Sequence, residues 1–168
     1  MREHEDTDAA APDRDEREAL LMRLGGLAFA VYADECECVT EWAEPAPLPH
    51  APAPVLGVVS VRGRMRTVIN PARLFESLGL VFGRRPEECA RLAALAGDEQ
   101  LALAFESYEH VRLKPERLNA PPDSQPPVRA TFSRHGETVY LLDPARLFDA
   151  AMSGTERRRP RAVNREEP

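Results

Sequence analysis

Val55 to Phe75 reads VLGVVSVRGRMRTVINPARLF, and Val128 to Phe148 reads VRATFSRHGETVYLLDPARLF, in register and without a gap at an offset of 73 residues. Both stretches close on PARLF. Both carry a glycine at the same point (Gly63, Gly136) and a serine three residues before it (Ser60, Ser133). Between these fixed points the apolar pattern persists while residue identity drifts. A period this long, present twice, signals a duplicated small domain, because a solenoid needs at least three shorter units.

Each copy reads as a hairpin followed by a capped helix. The run Val55 to Val61 is almost unbroken apolar and rich in β-branched residues, which predicts a strand covered on both faces. Gly63 supplies the positive φ of a tight hairpin, and Met65 to Ile69 is the returning strand. In the second copy Gly136 turns the chain between Val128–Ser133 and Thr138–Leu142. Asn70 and Asp143 are placed as structural helix caps, with Pro71 and Pro144 at the first helical position, where no amide hydrogen is missed. Gly79 and Gly154 are expected to end the two helices.

The pattern extends outward from these stretches. Ala19–Leu24 and Leu27–Ala33 flank Gly25-Gly26, a strong two-residue hairpin signal. Asp34 to Trp42 continues as a mixed strand with Cys36 and Cys38 on one face. Five of the ten residues from Pro45 to Pro54 are proline, which makes an extended connection with little freedom to lose; recognition by a separate proline-binding domain is the lesser reading. After a short link at Val81 to Pro86 the plan repeats. Cys89–Ala96 and Gln100–Phe105 flank a turn at Gly97-Asp98-Glu99, and a mixed stretch Glu106–Leu113 leads into a second proline-rich connection. Five short strands per half suit a small barrel, in which closure would hide the edges. The expected division is an acidic tail (1–18), a first barrel (about 19–83), a second (about 88–152) and a basic tail (153–168).

Charge narrows the function. The net charge of −6 is uneven: residues 1–18 hold eight acids against three arginines, while residues 153–168 hold five arginines against three glutamates. An acidic body argues against nucleic-acid partners, which require clustered Lys or Arg. The run Arg157, Arg158, Arg159 and Arg161 reads as a solvated tail, with an acidic partner as the alternative. No apolar run approaches the roughly 18 residues of a membrane span and no leader is evident, so a cytoplasmic location without direct membrane insertion is expected.

Candidate chemistry is sparse. Three cysteines, Cys36, Cys38 and Cys89, lack the paired spacing of a zinc site or a disulfide framework, and they leave a metal or redox protein as an alternative of another class. His4, His50, His110 and His135 form no nucleophile–base arrangement with a serine or cysteine. Asp143 aligns with Asn70, and what the two share is capping, not catalysis. The charged pair Arg62 and Arg64 around Gly63 is the best surface candidate, with solvated turn charges as the plain reading. Trp42, the only tryptophan, is expected in the core, with an interface anchor as the alternative.

Several motifs occur in a particular order. A proline-rich approach (Pro49, Pro52) precedes Gly57, then Val59-Ser60-Val61-Arg62-Gly63, then Val68-Ile69-Asn70 before Arg73-Leu74-Phe75. Ala102-Leu103-Ala104-Phe105-Glu106-Ser107-Tyr108 follows, and Leu141-Leu142-Asp143 with Leu147 closes the series. Over roughly Leu20 to Met152 this resembles the CheW-like domain family, the coupling proteins of bacterial chemosensory arrays. The resemblance implies a mainly β fold of two packed five-stranded SH3-like β-barrels, and an adaptor with no chemistry, metal or cofactor of its own. The implied partners are the regulatory domain of a CheA-type histidine kinase and the cytoplasmic tip of a methyl-accepting chemoreceptor, in membrane-associated receptor arrays. The implied partner-binding residues are Arg62, Gly63, Gly57, Ser60, Val61, Arg64 and Cys38. Cys38 stands where the family usually has a glutamate, Ser60 where it has asparagine, Thr67 where it has proline, Asn70 where it has aspartate, and Ala102 where it has glycine. The changes at Cys38 and Ser60 leave open an adaptor of a divergent system, serving surface motility or localisation, that binds the kinase alone.

Overall fold

A computed structural model describes residues 14–80, 82–121 and 126–153. The elements in chain order are β1 (Arg17–Leu24), β2 (Leu27–Tyr32), β3 (Cys36–Glu41), β4 (Val55–Val61), β5 (Arg64–Ile69) and α1 (Pro71–Ser77). Then come β6 (Arg91–Leu95), β7 (Leu101–Phe105), β8 (Ser107–Leu113), β9 (Val128–Arg134), β10 (Glu137–Leu142) and α2 (Pro144–Ser153). The acidic tail is expected to run to residue 18, yet Arg17 and Glu18 already pair with β8 in the first strand. Gly154 and the rest of both tails lie outside the described residues.

The strands form two SH3-like five-stranded sheets, ordered β8-β1-β2-β10-β9 and β3-β6-β7-β5-β4. The first takes its strands from both ends of the chain and is the terminal sheet here; the second, the central sheet, is one continuous segment from Cys36 to Phe105. The division into barrels at 19–83 and 88–152 is therefore corrected: each leading hairpin joins the sheet built around the other copy of the repeat. Neither sheet closes by a full ladder, since β3 and β4, like β8 and β9, remain unpaired edges.

Burial explains the exchange. All six residues of β2 and all five of β7 are buried, on both faces. Leu27, Phe29 and Val31 point into a large core shared with the central sheet, whereas Ala28, Ala30 and Tyr32 fill the interior of the terminal sheet. A hairpin apolar on both faces is most stable as the wall between two cores, where burial on each side is worth roughly 25 cal/mol per Å². Val55–Val61, by contrast, is not covered on both faces. It is an edge strand in which Val59 and Val61 are buried while Ser60 is exposed.

The two copies are equivalent in detail at the offset of 73. Gly57 pairs with Val68 and Val55 with Ile69 around a bulge, and Ala130 pairs with Leu141 and Val128 with Leu142 around the same bulge. Ahead of each edge strand the chain touches it once, Ala46 against Val58 and Asn119 against Thr131. The helix starts match too, with Asn70 N donating to Pro54 O at 2.8 Å and Asp143 N to Pro127 O at 2.7 Å. Asn70 Oδ1 accepts from Arg73 N at 3.1 Å, and Asp143 Oδ1 from Ala145 N at 3.2 Å, so both side chains occupy orphan amides of a helix first turn.

Gly57 is one place where the copies diverge. It has φ +141°, and a Cβ there would lie 2.1 Å from Ala46 O, whereas Ala130 carries a side chain at the matching position. Gly57→Ala is expected to destabilise the chain by about 1–3 kcal/mol or more through strain and the clash. Ala130→Gly should cost only about 1 kcal/mol, from added backbone freedom. Urea denaturation of both variants checks the difference, and equal losses would contradict it.

Candidate functional site

The turn between β4 and β5 consists of Arg62 and Gly63, both at positive φ (+50° and +78°). Such a pair forms the two-residue turn whose twist matches the flanking strands. The strain falls on Arg62, since a non-glycine residue rarely adopts this conformation. Arg62, Gly63, Arg64 and Ser60 are all exposed, and Met65 beside them is 56% exposed. His135 and Gly136 repeat the geometry in the twin copy at φ +50° and +75°.

Next to this turn a groove of about 340 Å³ opens between the unpaired edges of the central sheet, with Thr40, Glu41 and Ala43 on one bank and Val59 to Arg62 on the other. The structure thus gathers Ser60, Val61 and Arg62 in one groove, while Gly63 and Arg64, next in the turn, are exposed but do not line it. Gly57 lies deeper, packed under Ala46. Cys38 sits on the facing strand, two residues before Thr40, and does not line the groove.

The terminal sheet shows what the same seam looks like when it is bridged. Arg134 Nε on β9 donates to Glu109 Oε1 on β8 at 2.8 Å, and Arg23 reaches Glu137 at 3.2 Å. Val61 is the twin of Arg134. Cys38 is the twin of Glu109, because it faces Ala94 on β6 as Glu109 faces Leu21 on β1, again 73 apart. Two charges that span one seam are thus replaced by a thiol and a valine at the other. Among the described residues no ion pair crosses the central seam, whose groove has the apolar Val59, Val61 and Leu92 between the polar Thr40, Glu41, Ser60 and Arg62, a mix of apolar centre and polar rim that suits a protein contact.

One buried charge was not foreseen. Arg66 on β5 is 3% exposed. Its Nη1 donates to Leu95 O at 2.7 Å and to Leu101 O at 3.4 Å, while Nη2 pairs with Glu37. The bulge between Cys36 and Cys38 inserts Glu37 into β3 as an extra residue. The missing carboxylate at position 38 is thus matched by one a residue earlier, paired inward and bracing β3 to β5, β6 and β7. The signal lay in the repeat, because at the offset of 73 Arg66 aligns with Val139, a fully buried core residue.

The cysteines do not converge. Cys36 faces Leu95 at one end of β6, while Cys89 lies two residues before the other end. Burial, then the neighbouring Cys38, pushes the Cys36 thiol up to about 11, and burial also raises Cys89. Such thiols are weak nucleophiles near neutral pH. Among the described residues no group of three or more His, Cys, Asp or Glu could hold a metal ion. Trp42 is half-buried against the large core and donates its backbone amide to Ala90 O at 3.0 Å. His110 is exposed on β8, edge-on to Tyr108. No helix among the described residues is long and apolar enough to cross a membrane.

The domain is thus two packed SH3-like sheets, one with its seam bridged and the other with its seam open as a groove. Residues 18–152 match the family model of the CheW-like domain, and the chain belongs to that family. It is 35% identical over 54 residues to the chemotaxis protein CheW of Rhizobium meliloti (strain 1021), a match covering 32% of this chain and about a third (35%) of that relative's length. Its fold is similar to the crystal structure of the scaffolding protein TtCheW from Thermoanaerobacter tengcongensis, with a TM-score of 0.62 and 15% identity over 76% of this chain and 88% of that one.

The Glu37–Arg66 brace yields an asymmetric expectation. Removing a partner of a buried ion pair costs about 3–5 kcal/mol when the survivor stays buried. Glu37→Ala strands the guanidinium in the core, whereas Arg66→Met leaves a carboxylate already 41% exposed. Glu37→Ala should therefore lower the thermal midpoint more than Arg66→Met does, and the reverse order would show that the pair is not bracing the sheet.

Proposed function

We propose that this protein couples chemoreceptors to a CheA-type histidine kinase, holding both without transforming either. Membership of the CheW-like family supports the adaptor role, and the unbridged seam of the central sheet is the observation that carries the choice of surface. The regulatory domain of the kinase docks on the groove between β3 and β4. An apolar side chain of the partner covers Val59 and Val61, and acidic groups pair with Arg62 and Arg64. A small desolvated centre supplies most of the affinity in such contacts and the charged rim governs orientation and on-rate. The chemoreceptor tip is held by a separate surface, so that the rigid body transmits position from one partner to the other. In this reading the protein sits at membrane-associated arrays through its partners.

The replacement of the seam's carboxylate by Cys38 favours a second, narrower reading, an adaptor of a divergent system that binds only the kinase. Receptor and kinase fragments tested separately distinguish the two.

Arg62→Glu is expected to leave the thermal midpoint within about 1 °C, because an exposed turn charge contributes little to stability. The same change should weaken binding to the kinase regulatory domain by at least about tenfold in calorimetric titration, roughly 1.4 kcal/mol. Undiminished binding would remove the groove from the interface.

A further inference from the structure

A duplicated fold carries two copies of any docking seam, and a partner that fits one should find its twin. At the terminal sheet an ion network stands in the way. Arg134 Nε on β9 donates to Glu109 Oε1 on β8 at 2.8 Å, and Arg23 on β1 reaches Glu109 at 4.0 Å and Glu137 on β10 at 3.2 Å. One charge from each of four strands is thus tied into a single network, each side chain between 34% and 39% exposed. Arg23, Arg134 and Glu137 lie two residues from Leu21, Phe132 and Val139, which belong to that sheet's own core. Alternation along a strand puts such residues on one face, so the network closes the open end of the core.

By repeat offset and strand register, the same four positions in the central sheet are Cys38, Ala96, Val61 and Arg64. Three of the four charges are absent. The central sheet keeps its paired charge farther in, with Arg66 at the position of Val139 and Glu37 bound to it.

The lips of the two seams are reversed as well. Glu41 on β3 lies opposite Arg91 on β6, whereas Arg112 on β8 lies opposite Glu18 on β1. At the turns, Arg62 and Arg64 are replaced by His135 and Glu137. A partner with acids set for Arg62 and Arg64 would meet Glu137 at the twin turn, like charge against like.

We propose that Arg134 and Glu109 determine which seam is used: their bridge shuts the terminal seam to the partner that docks on the central one. The inference rests on the docking surface proposed above and deepens it, because a single open seam gives the complex one orientation. To enter the bridged seam, a partner would have to separate and desolvate charges that are already paired, which is costly when nothing replaces the lost partner. Discrimination of this kind is built by penalising the wrong site as well as by favouring the right one.

Titration of a CheA-type kinase regulatory domain into the isotope-labelled full-length chain reads the two seams separately, through the amides of Gly63 and Gly136. In the unaltered chain Gly63 should respond and Gly136 stay in place. Glu109→Cys combined with Arg134→Val copies the central residues onto the terminal seam, and Gly136 should then respond too. That second site should be at least about tenfold weaker than the first, because the reversed charges of Arg112 and Glu137 remain. Arg134→Lys keeps the bridge and should keep Gly136 silent. If thermal unfolding shows that the double variant does not fold, Arg134→Gln, a polar replacement at a partly exposed position, takes its place with the same expectation. A Gly136 that responds in the unaltered chain, responds equally with Arg134→Lys, or stays silent in a folded bridge-less variant at saturating partner would overturn the gate and leave the central docking surface standing. A Gly63 that stays silent in the unaltered chain would overturn the docking surface, and the gate with it.

Discussion

Apolar contact across the layer between the two sheets is the constraint on which the rest of the structure depends. Met22, Leu24, Phe29 and Val31 from the terminal sheet and Leu92, Leu103 and Phe105 from the central one belong to a single buried cluster. The terminal sheet keeps a smaller core of its own around Leu21, Ala30, Phe132 and Leu141. Neither sheet alone would cover both faces of the hairpins β1–β2 and β6–β7. Small domains bury too little surface to be comfortably stable in isolation, and pairing two of them over one shared core relieves this. The consequence is a body in which the edges of one sheet are held in place relative to those of the other.

On that body, duplication permits divergence. Each structural device of the repeat occurs twice, so one copy can keep it while the other is adapted. The β8–β9 seam is bridged by Arg134 and Glu109, and the β3–β4 seam, with Val61 and Cys38 in their places, stays open as a groove. The helix starts differ in the same manner, with Asn70 bonded to Glu87 at one and Asp143 paired with Arg129 at the other. The buried Arg66 belongs to this set as well, since it stands where the second copy has Val139 and replaces apolar packing by a brace to Glu37 and two carbonyls. A buried ion pair is a weak source of stability, and its place beside the open seam fits a role in holding β3 where no ladder reaches it.

Much of this was legible in the sequence. The offset of 73 located both hairpins, both caps and both edge strands, because turn chemistry and capping are local and the copies corroborated one another. The allocation of strands to sheets was not legible in the same way. Adjacency in sequence suggested that Leu20–Tyr32 packs with Val55–Ile69. What decides the matter is that β1 and β2 are apolar on both faces, and periodicity cannot say which neighbour covers which face. For the same reason Val55–Val61, an apolar run, read as a doubly covered strand although it lies at an edge with Ser60 facing outward. Arg62 and Ser60 were visible as candidates through their turn, whereas the groove beside them depends on Thr40 to Ala43, about twenty residues away in sequence and brought near only by the fold.

The central claim is that two exchanged sheets form one cooperative body. Native-state hydrogen exchange at increasing denaturant tests it most directly, by following the amides of Phe29 and Val31 on β2, Leu103 on β7 and Leu141 on β10. A single shared core predicts that all four converge on one global opening free energy. Contradiction would come from Leu141 exchanging through a separate, markedly lower-energy opening while Leu103 stays protected, for then the two sheets would be independent units lying side by side.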